Sequence, residues 1–263
     1  ILLKCIDNIL LIARITGMTS QYDISDSCIE SICSLTNIID SKPLKNKSKL
    51  CLSSLIRFSI VNGEYISSSW KTILTIASKI DTIITKKETF IYSFDQVFEV
   101  TKKFNINIFT SFISALCEVS SNEIKGDTTR LYALRKIVEV SENNLHRNQK
   151  QWEIIYKIIY ENIIQLATTH DESSVISLIA IDSLRQIVIK LLTNLSMQNN
   201  FEVNLLMPFE LIFDESPISI CESILEALGN IVEVSSNIKN GWIVMFTILK
   251  TALDKKIHKE IVH

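Results

Sequence analysis

The stretch WEIIYKIIYENIIQL, residues 152–166, is dominated by isoleucine, which favours strands, so its period has to decide the fold. Trp152, Ile155, Ile158, Ile159, Ile163 and Leu166 follow steps of three and four, as one face of a helix requires. A strand would alternate, and this segment does not. Working outward, the apolar set Leu131, Leu134, Ile137, Val138, Val140 and Leu145 largely repeats the pattern. Similar patterns fill about 2–17, 24–39, 47–61, 67–84, 90–103, 106–120, 172–196, 203–213, 218–235 and 241–254. The expectation is an all-α chain of about a dozen helices. Their limits carry start and stop chemistry: Asp23 and Ser25, Asp127, Asp171, Pro217 at a first turn, and Gly63 and Gly126 in connections. Five glycines and three prolines supply too little turn material for a many-stranded sheet.

Ile, Ser, Thr and Asn are mediocre helix formers, costing up to about 0.7 kcal/mol each relative to Ala. The helices must therefore be held by burial of their apolar stripes, at roughly 25 cal/mol per Å². Three tryptophans open new apolar helices at equivalent places, in SSW70KTIL, KQW152EIIY and NGW242IVMF. They lie 82 and 90 residues apart, twice 41 and twice 45, within the period of about 40 to 47 residues of HEAT and armadillo helix pairs. This predicts an α-solenoid of about six pairs, read as one continuous superhelix over 1–263 because no linker-like stretch interrupts it.

Composition narrows the function classes. The chain of 263 residues is 47% hydrophobic with mean hydropathy +0.24, yet its 21% charged residues are spread throughout, which points to a packed globular body. No apolar run reaches the roughly 18 to 20 residues that cross a bilayer; ILLKCIDNILLIAR is broken by Lys4, Asp7 and Arg14. Opening at Ile1 inside an amphipathic pattern, the chain is expected to be a piece of a longer protein. A net charge of −2 argues against a nucleic-acid binder. The six cysteines form no CxxC, and all but Cys51 sit in apolar patterns, which predicts buried free thiols and a cytosolic setting.

A search for chemistry finds little. No GxGxxG, Walker loop, HExxH or GxSxG occurs, so neither a catalytic residue nor a cofactor is expected. His258, Glu260 and His263 are the one cluster with metal-ligand types, but a spacing of five puts the two rings on different helix faces. His170-Asp171-Glu172 reads as a polar turn with Asp171 capping the next helix. KPLKNKSK, residues 42–49, brings together Lys42, Lys45, Lys47 and Lys49, either a solvated loop or a contact for anionic lipid headgroups. Phe90, Tyr92, Phe94, Phe98, Phe104, Phe109 and Phe112, at steps near four, are either core or an exposed lipid- or partner-facing stripe.

In SLIAIDSLRQIVIKLL, residues 177–192, Leu178, Ile181, Leu184, Val188 and Leu191 form one stripe, while Asp182, Arg185 and Gln186 gather on the far side. Asp182 and Arg185 are three apart and can pair. They either staple adjacent repeats together or line a polar groove for a partner.

AIDSLRQIVIKLL (180–192) resembles a signature found downstream of the catalytic domain in the large Arf guanine-nucleotide exchange factors of the brefeldin-inhibited (BIG) and yeast Sec-seven class. FISALCEVSSNEI (112–124), LYALRKIVEVSENNLHRNQKQWEIIY (131–156), LMPFELIF (206–213), NIKNGWIVMF (237–246) and GEYISSSWKTIL (63–74) are similar to further segments of that family, in the same order. The resemblance implies a HEAT-like, non-catalytic region, with about 1–125 and 126–263 similar to the first and second homology regions downstream of the exchange domain. It implies a role in regulating exchange and in recruitment to Golgi membranes, with the GTP-bound Arf-type GTPase and other domains of the same factor as partners. Met207 stands where the family often has Arg, and Glu142-Asn143 replaces an aromatic pair, so contacts of those side chains do not carry over. A passive helical scaffold and a karyopherin-like protein-binding module are the alternatives, the latter on solenoid shape alone.

Overall fold

The structure, a computed structural model, describes residues 1–38, 44–83, 93–125, 129–168, 175–194, 200–234 and 238–255. These hold twelve α-helices and, among the described residues, no strand. They cluster in two compact units, Ile1–Asn143 and Asn144–His263. The first holds α1 (Leu2–Met18), α2 (Tyr22–Thr36), α3 (Asn46–Asn62), α4 (Trp70–Ile83), α5 (Phe94–Val100), α6 (Ile106–Lys125) and α7 (Tyr132–Asn143). Within it α1, α3, α5 and α7 touch in succession, as do α2, α4 and α6, giving two layers. The second unit holds α8 (Gln149–Thr168), α9 (Val175–Asn194), α10 (Phe201–Glu215), α11 (Ile218–Val234) and α12 (Trp242–Asp254). Here α8, α10 and α12 form one layer, and α9 and α11 the other. Each unit is thus a two-layer stack of helices, the all-α helical-repeat fold that the periodicity predicts.

The large side chains fill the space between layers. Trp70 and Trp152 are fully buried, and Trp70 packs edge-on against Phe112 with ring centroids 4.8 Å apart. Phe94, Phe98, Phe104, Phe109 and Phe112 are all buried, so the aromatic run is core where it is described; Phe90 and Tyr92 lie outside the described residues. The helix expected over 90–103 is shorter, Phe94–Val100, and tightens into a 3-10 turn at Thr101–Lys103. Ser93 starts it with a capping box that includes Gln96. Trp242 departs from its two counterparts: it is 38% exposed, donates its indole N–H to the Ile238 carbonyl at 3.0 Å and stacks on Phe246.

The thiols differ from expectation. Cys51, set apart by the sequence pattern, is fully buried, whereas Cys5 is exposed and Cys28 is half-buried. Cys5 sits on α1 beside exposed Leu2 and Leu3, in an apolar pattern that the first unit leaves uncovered. Burial pushes the Cys33 and Cys117 thiols up to about 12, which keeps them protonated and unreactive. The cap residues also shift. Asp23 falls inside the first turn of α2 after a Gln21 N-cap, and Ser25 is buried with its hydroxyl donating to the Tyr65 carbonyl; Asp127, Asp171 and Gly126 lie outside the described residues.

Three buried carboxylates tie the stacks together. Asp26 on α2 accepts the backbone N–H groups of Ser67, Ser68 and Ser69, at 3.2, 2.8 and 3.3 Å, where the chain enters α4 at Trp70. Glu202 on α10 does the same for α12: one of its oxygens accepts from the N–H groups of Lys239, Asn240 and Gly241 at 2.7, 2.9 and 3.1 Å. Glu123 on α6 accepts from the Ala133 N–H at 3.0 Å in the first turn of α7, and from the Ser78 hydroxyl. The start of a helix and the turn that leads into it have N–H groups without intrahelical partners, which need acceptors from elsewhere. A carboxylate from a packed neighbour, in the same layer for Asp26 and Glu202 and across the layers for Glu123, satisfies them and sits favourably at the positive end of the helix dipole. Replacing Glu202 by Ala should orphan three donors and lower stability by about 2 to 3 kcal/mol. Removing the exposed Lys71–Glu118 pair should cost less than about 1 kcal/mol. Urea denaturation of the two variants checks the contrast.

Candidate functional site

α9 and α11 lie side by side in their layer, and a groove of about 300 Å³ runs between them. Apolar residues Leu178, Ile181 and Ala227 line it together with Asp182, Arg185, Ser223, Glu226 and Asn230. The local cause is the pattern of α9. Because α8 and α11 both pack on it, Ala180, Ile181, Leu184, Ile187, Val188 and Leu191 are buried on a broad front, and Asp182 and Arg185 emerge at its edge toward α11. Leu178, placed by the sequence in the buried stripe, is 40% exposed and forms part of the groove wall.

Asp182, Arg185 and Gln186 form one hydrogen-bonded set. The Arg185 guanidinium donates to one Asp182 oxygen through Nη2 at 2.6 Å and Nε at 3.0 Å, while Gln186 Nε2 donates to the other at 2.6 Å. All three bonds stay within α9, so the reading in which these side chains staple adjacent repeats has no bond to support it among the described residues. Arg185, with 26% of its side chain exposed, and Asp182 face the groove; Gln186 is exposed outside it and holds the carboxylate from behind. Sequence reasoning missed Glu226, Ser223 and Asn230. The signal for Glu226 is the repeat itself, since it lies 44 residues after Asp182, one helix pair further along. Asp182, Arg185 and Glu226 leave the groove one negative charge in excess.

The lysine cluster is brought together only in part. Lys45 precedes α3, and Lys47 and Lys49 fall in its first turn, where no side chain caps the helix and no acid offsets the dipole. Lys45 and Lys47 are exposed and Lys49 half-buried, while Lys42 lies outside the described residues. The His258, Glu260 and His263 cluster and His170-Asp171-Glu172 also lie outside them. No group of three or more His, Cys, Asp or Glu among the described residues could hold a metal ion. None of their helices is long and apolar enough to cross a membrane.

Comparison with known proteins bears directly on this site. A family model described as Mon2/Sec7/BIG1-like, HDS matches residues 185–263, beginning at the groove arginine itself. The ADP-ribosylation factor guanine nucleotide-exchange factor sec72 of Schizosaccharomyces pombe is 24% identical over 315 aligned residues, covering 94% of this chain and 17% of the relative. Brefeldin A-inhibited guanine nucleotide-exchange protein 1 of Homo sapiens is 28% identical over 257 residues, covering 95% of the chain and 13% of the relative. Over most of its length this chain is similar to Arf exchange factors of the BIG and Sec7 type. Brefeldin A-inhibited guanine nucleotide-exchange protein 2 of Arabidopsis thaliana adds 31% identity over 172 residues, 64% of the chain and 9% of the relative. The chain therefore spans a small part, 9 to 17%, of the length of these relatives, and only its residues 185–263 match the HDS model.

The intrahelical geometry of the groove makes a separable variant available. Arg185→Glu breaks a half-exposed pair within one helix, so the free energy of unfolding should change by no more than about 1 kcal/mol while the groove's excess charge goes from one negative to three. A urea midpoint close to that of the unmodified chain is the expected result.

Proposed function

We propose that this chain is a non-catalytic helical segment of an Arf exchange factor, which binds an activated Arf-type GTPase or other domains of the same factor and so regulates exchange at Golgi membranes. The observation that carries the reading is the charged groove between α9 and α11, set in a helical stack similar over nearly its whole length to Arf exchange factors. Asp182, itself held by Gln186, keeps the Arg185 guanidinium in a fixed pose, so little side-chain entropy is lost when a partner engages it. Gly229 supports an external partner on the same helix. It lies within the continuous α11 at a cost near 1 kcal/mol relative to Ala, and an added Cβ would meet nothing within 4 Å among the described residues, so no packing among them calls for it. In this reading Lys45 and Lys47, at the electropositive start of α3, touch anionic headgroups, and about 1–125 and 126–263 correspond to the first and second downstream homology regions.

In this reading the segment acts by binding alone. The test is retention of the purified chain on liposomes bearing a GTP-loaded Arf-type GTPase at low salt, compared with the GDP-loaded form. The expected result is retention on the GTP form, lost on Arg185→Glu. Equal retention of the variant rejects the groove as the contact, and absence of retention on either form supports the passive scaffold.

A further inference from the structure

A second groove, unrelated to the first, lies in the other unit between α1 and α3. Its volume is about 410 Å³. Leu10 and Phe58, each 5% exposed, make the floor, and Leu11 and Val61, 51% and 67% exposed, stand along the rim. Two arginines face it. Arg57 is already neutralised across the groove by Asp7, Nη2 to Oδ1 at 2.8 Å. Arg14, exposed on α1 two helical turns after Asp7, makes no ion pair or hydrogen bond among the described residues. Asp7, Arg14 and Arg57 together leave one positive charge in excess, the opposite of the α9–α11 groove.

We infer that this groove docks a protein segment that is acidic and amphipathic, with an aliphatic side chain seated between Leu11 and Val61 and a carboxylate paired to Arg14. The chemistry selects that occupant in three steps. The two rim aliphatics beside a closed apolar floor favour a ligand with apolar side chains at helical spacing. A guanidinium that makes no ion pair or hydrogen bond among the described residues favours a carboxylate, which it can grip with two parallel N–H bonds. A free phosphate is disfavoured because the lining residues lie within the bodies of α1 and α3, where the backbone N–H groups are spent in the helices, and a membrane surface because one excess cation in a recess gives little attraction to a charged plane. The groove lies on the flank of α1 that faces α3. Ile12 and Ile15, also exposed, sit round the helix from it and take no part in its lining.

The test uses the whole 263-residue chain and three fluorescein-labelled helix-forming peptides. One carries leucine and glutamate at helical spacing, the second has lysine for every glutamate, and the third has alanine for every leucine. Fluorescence anisotropy at low salt should show saturable binding of the first, with the other two weaker by about tenfold or more. Arg14→Glu should weaken the first peptide by about tenfold, and Val61→Asp should do likewise; both positions are exposed, so the fold is retained and circular dichroism checks it. Arg185→Glu, in the other groove, should leave this affinity unchanged, which separates the result from the fate of the Arf reading. Equal binding of the lysine peptide, an unchanged affinity for Arg14→Glu, or no binding of the acidic peptide overturns the inference. Binding of the chain to anionic phospholipid vesicles that Arg14→Glu abolishes, with no peptide binding, also overturns it and assigns the groove to a membrane.

Discussion

The chain that leads into a helix has N–H groups without intrahelical partners, and the rest of this structure depends on what accepts from them. Asp26 and Glu202 supply the carboxylate from the neighbouring helix of the same layer, 41 to 43 and 37 to 39 residues earlier in the chain. Those separations are one helix pair. The same bonds thus satisfy the helix start, give a buried carboxylate its hydrogen-bond donors and fix the register of one pair on the next. Apolar burial supplies the gross stabilisation, but a stripe of isoleucines could slide; a carboxylate aimed at three N–H groups cannot.

This also explains what the sequence made legible and what it hid. The helix class followed from period alone, because an apolar face at 3.6 residues per turn has one physical meaning. The repeat was visible through Trp70, Trp152 and Trp242, since a large ring at a helix start marks where each new helix enters the stack. The partners of those starts were not. Asp26 and Glu202 look like ordinary surface acids in one dimension and become buried caps only when the neighbour in the layer is known. Burial of Cys51 and exposure of Cys5 escaped for a related reason: a pattern says that a face is apolar, and packing decides whether a neighbour covers it. The family-like segments carry much of this framework. SSSW contains the donors held by Asp26, KNGW those held by Glu202, and FISALCEVSSNEI includes Glu123 itself.

The candidate site was half legible. Asp182, Arg185 and Gln186 share a helix, so their mutual geometry could be read from spacing, and the ion pair is where the spacing put it. The groove needs α11 as its other wall. Leu178 becomes a wall residue rather than core because α11 leaves a gap there, and Glu226 joins because layers stack at the repeat period. With Arg185 held by Asp182 in one groove and Arg14 without an ion pair among the described residues in the other, the two units present grooves of opposite excess charge on similar helical frames. A helical repeat tolerates this division of labour because residues on its flanks can change without disturbing the capped, packed interior.

Amide hydrogen exchange on the intact chain tests the central claim most directly. The account predicts that Ser67, Ser68, Ser69, Lys239, Asn240 and Gly241 are protected to the same degree as the interiors of α4 and α12, although they precede those helices, and that Glu202→Ala releases the last three selectively. Exchange of these six amides at the rate of an open turn in the unmodified chain would contradict it.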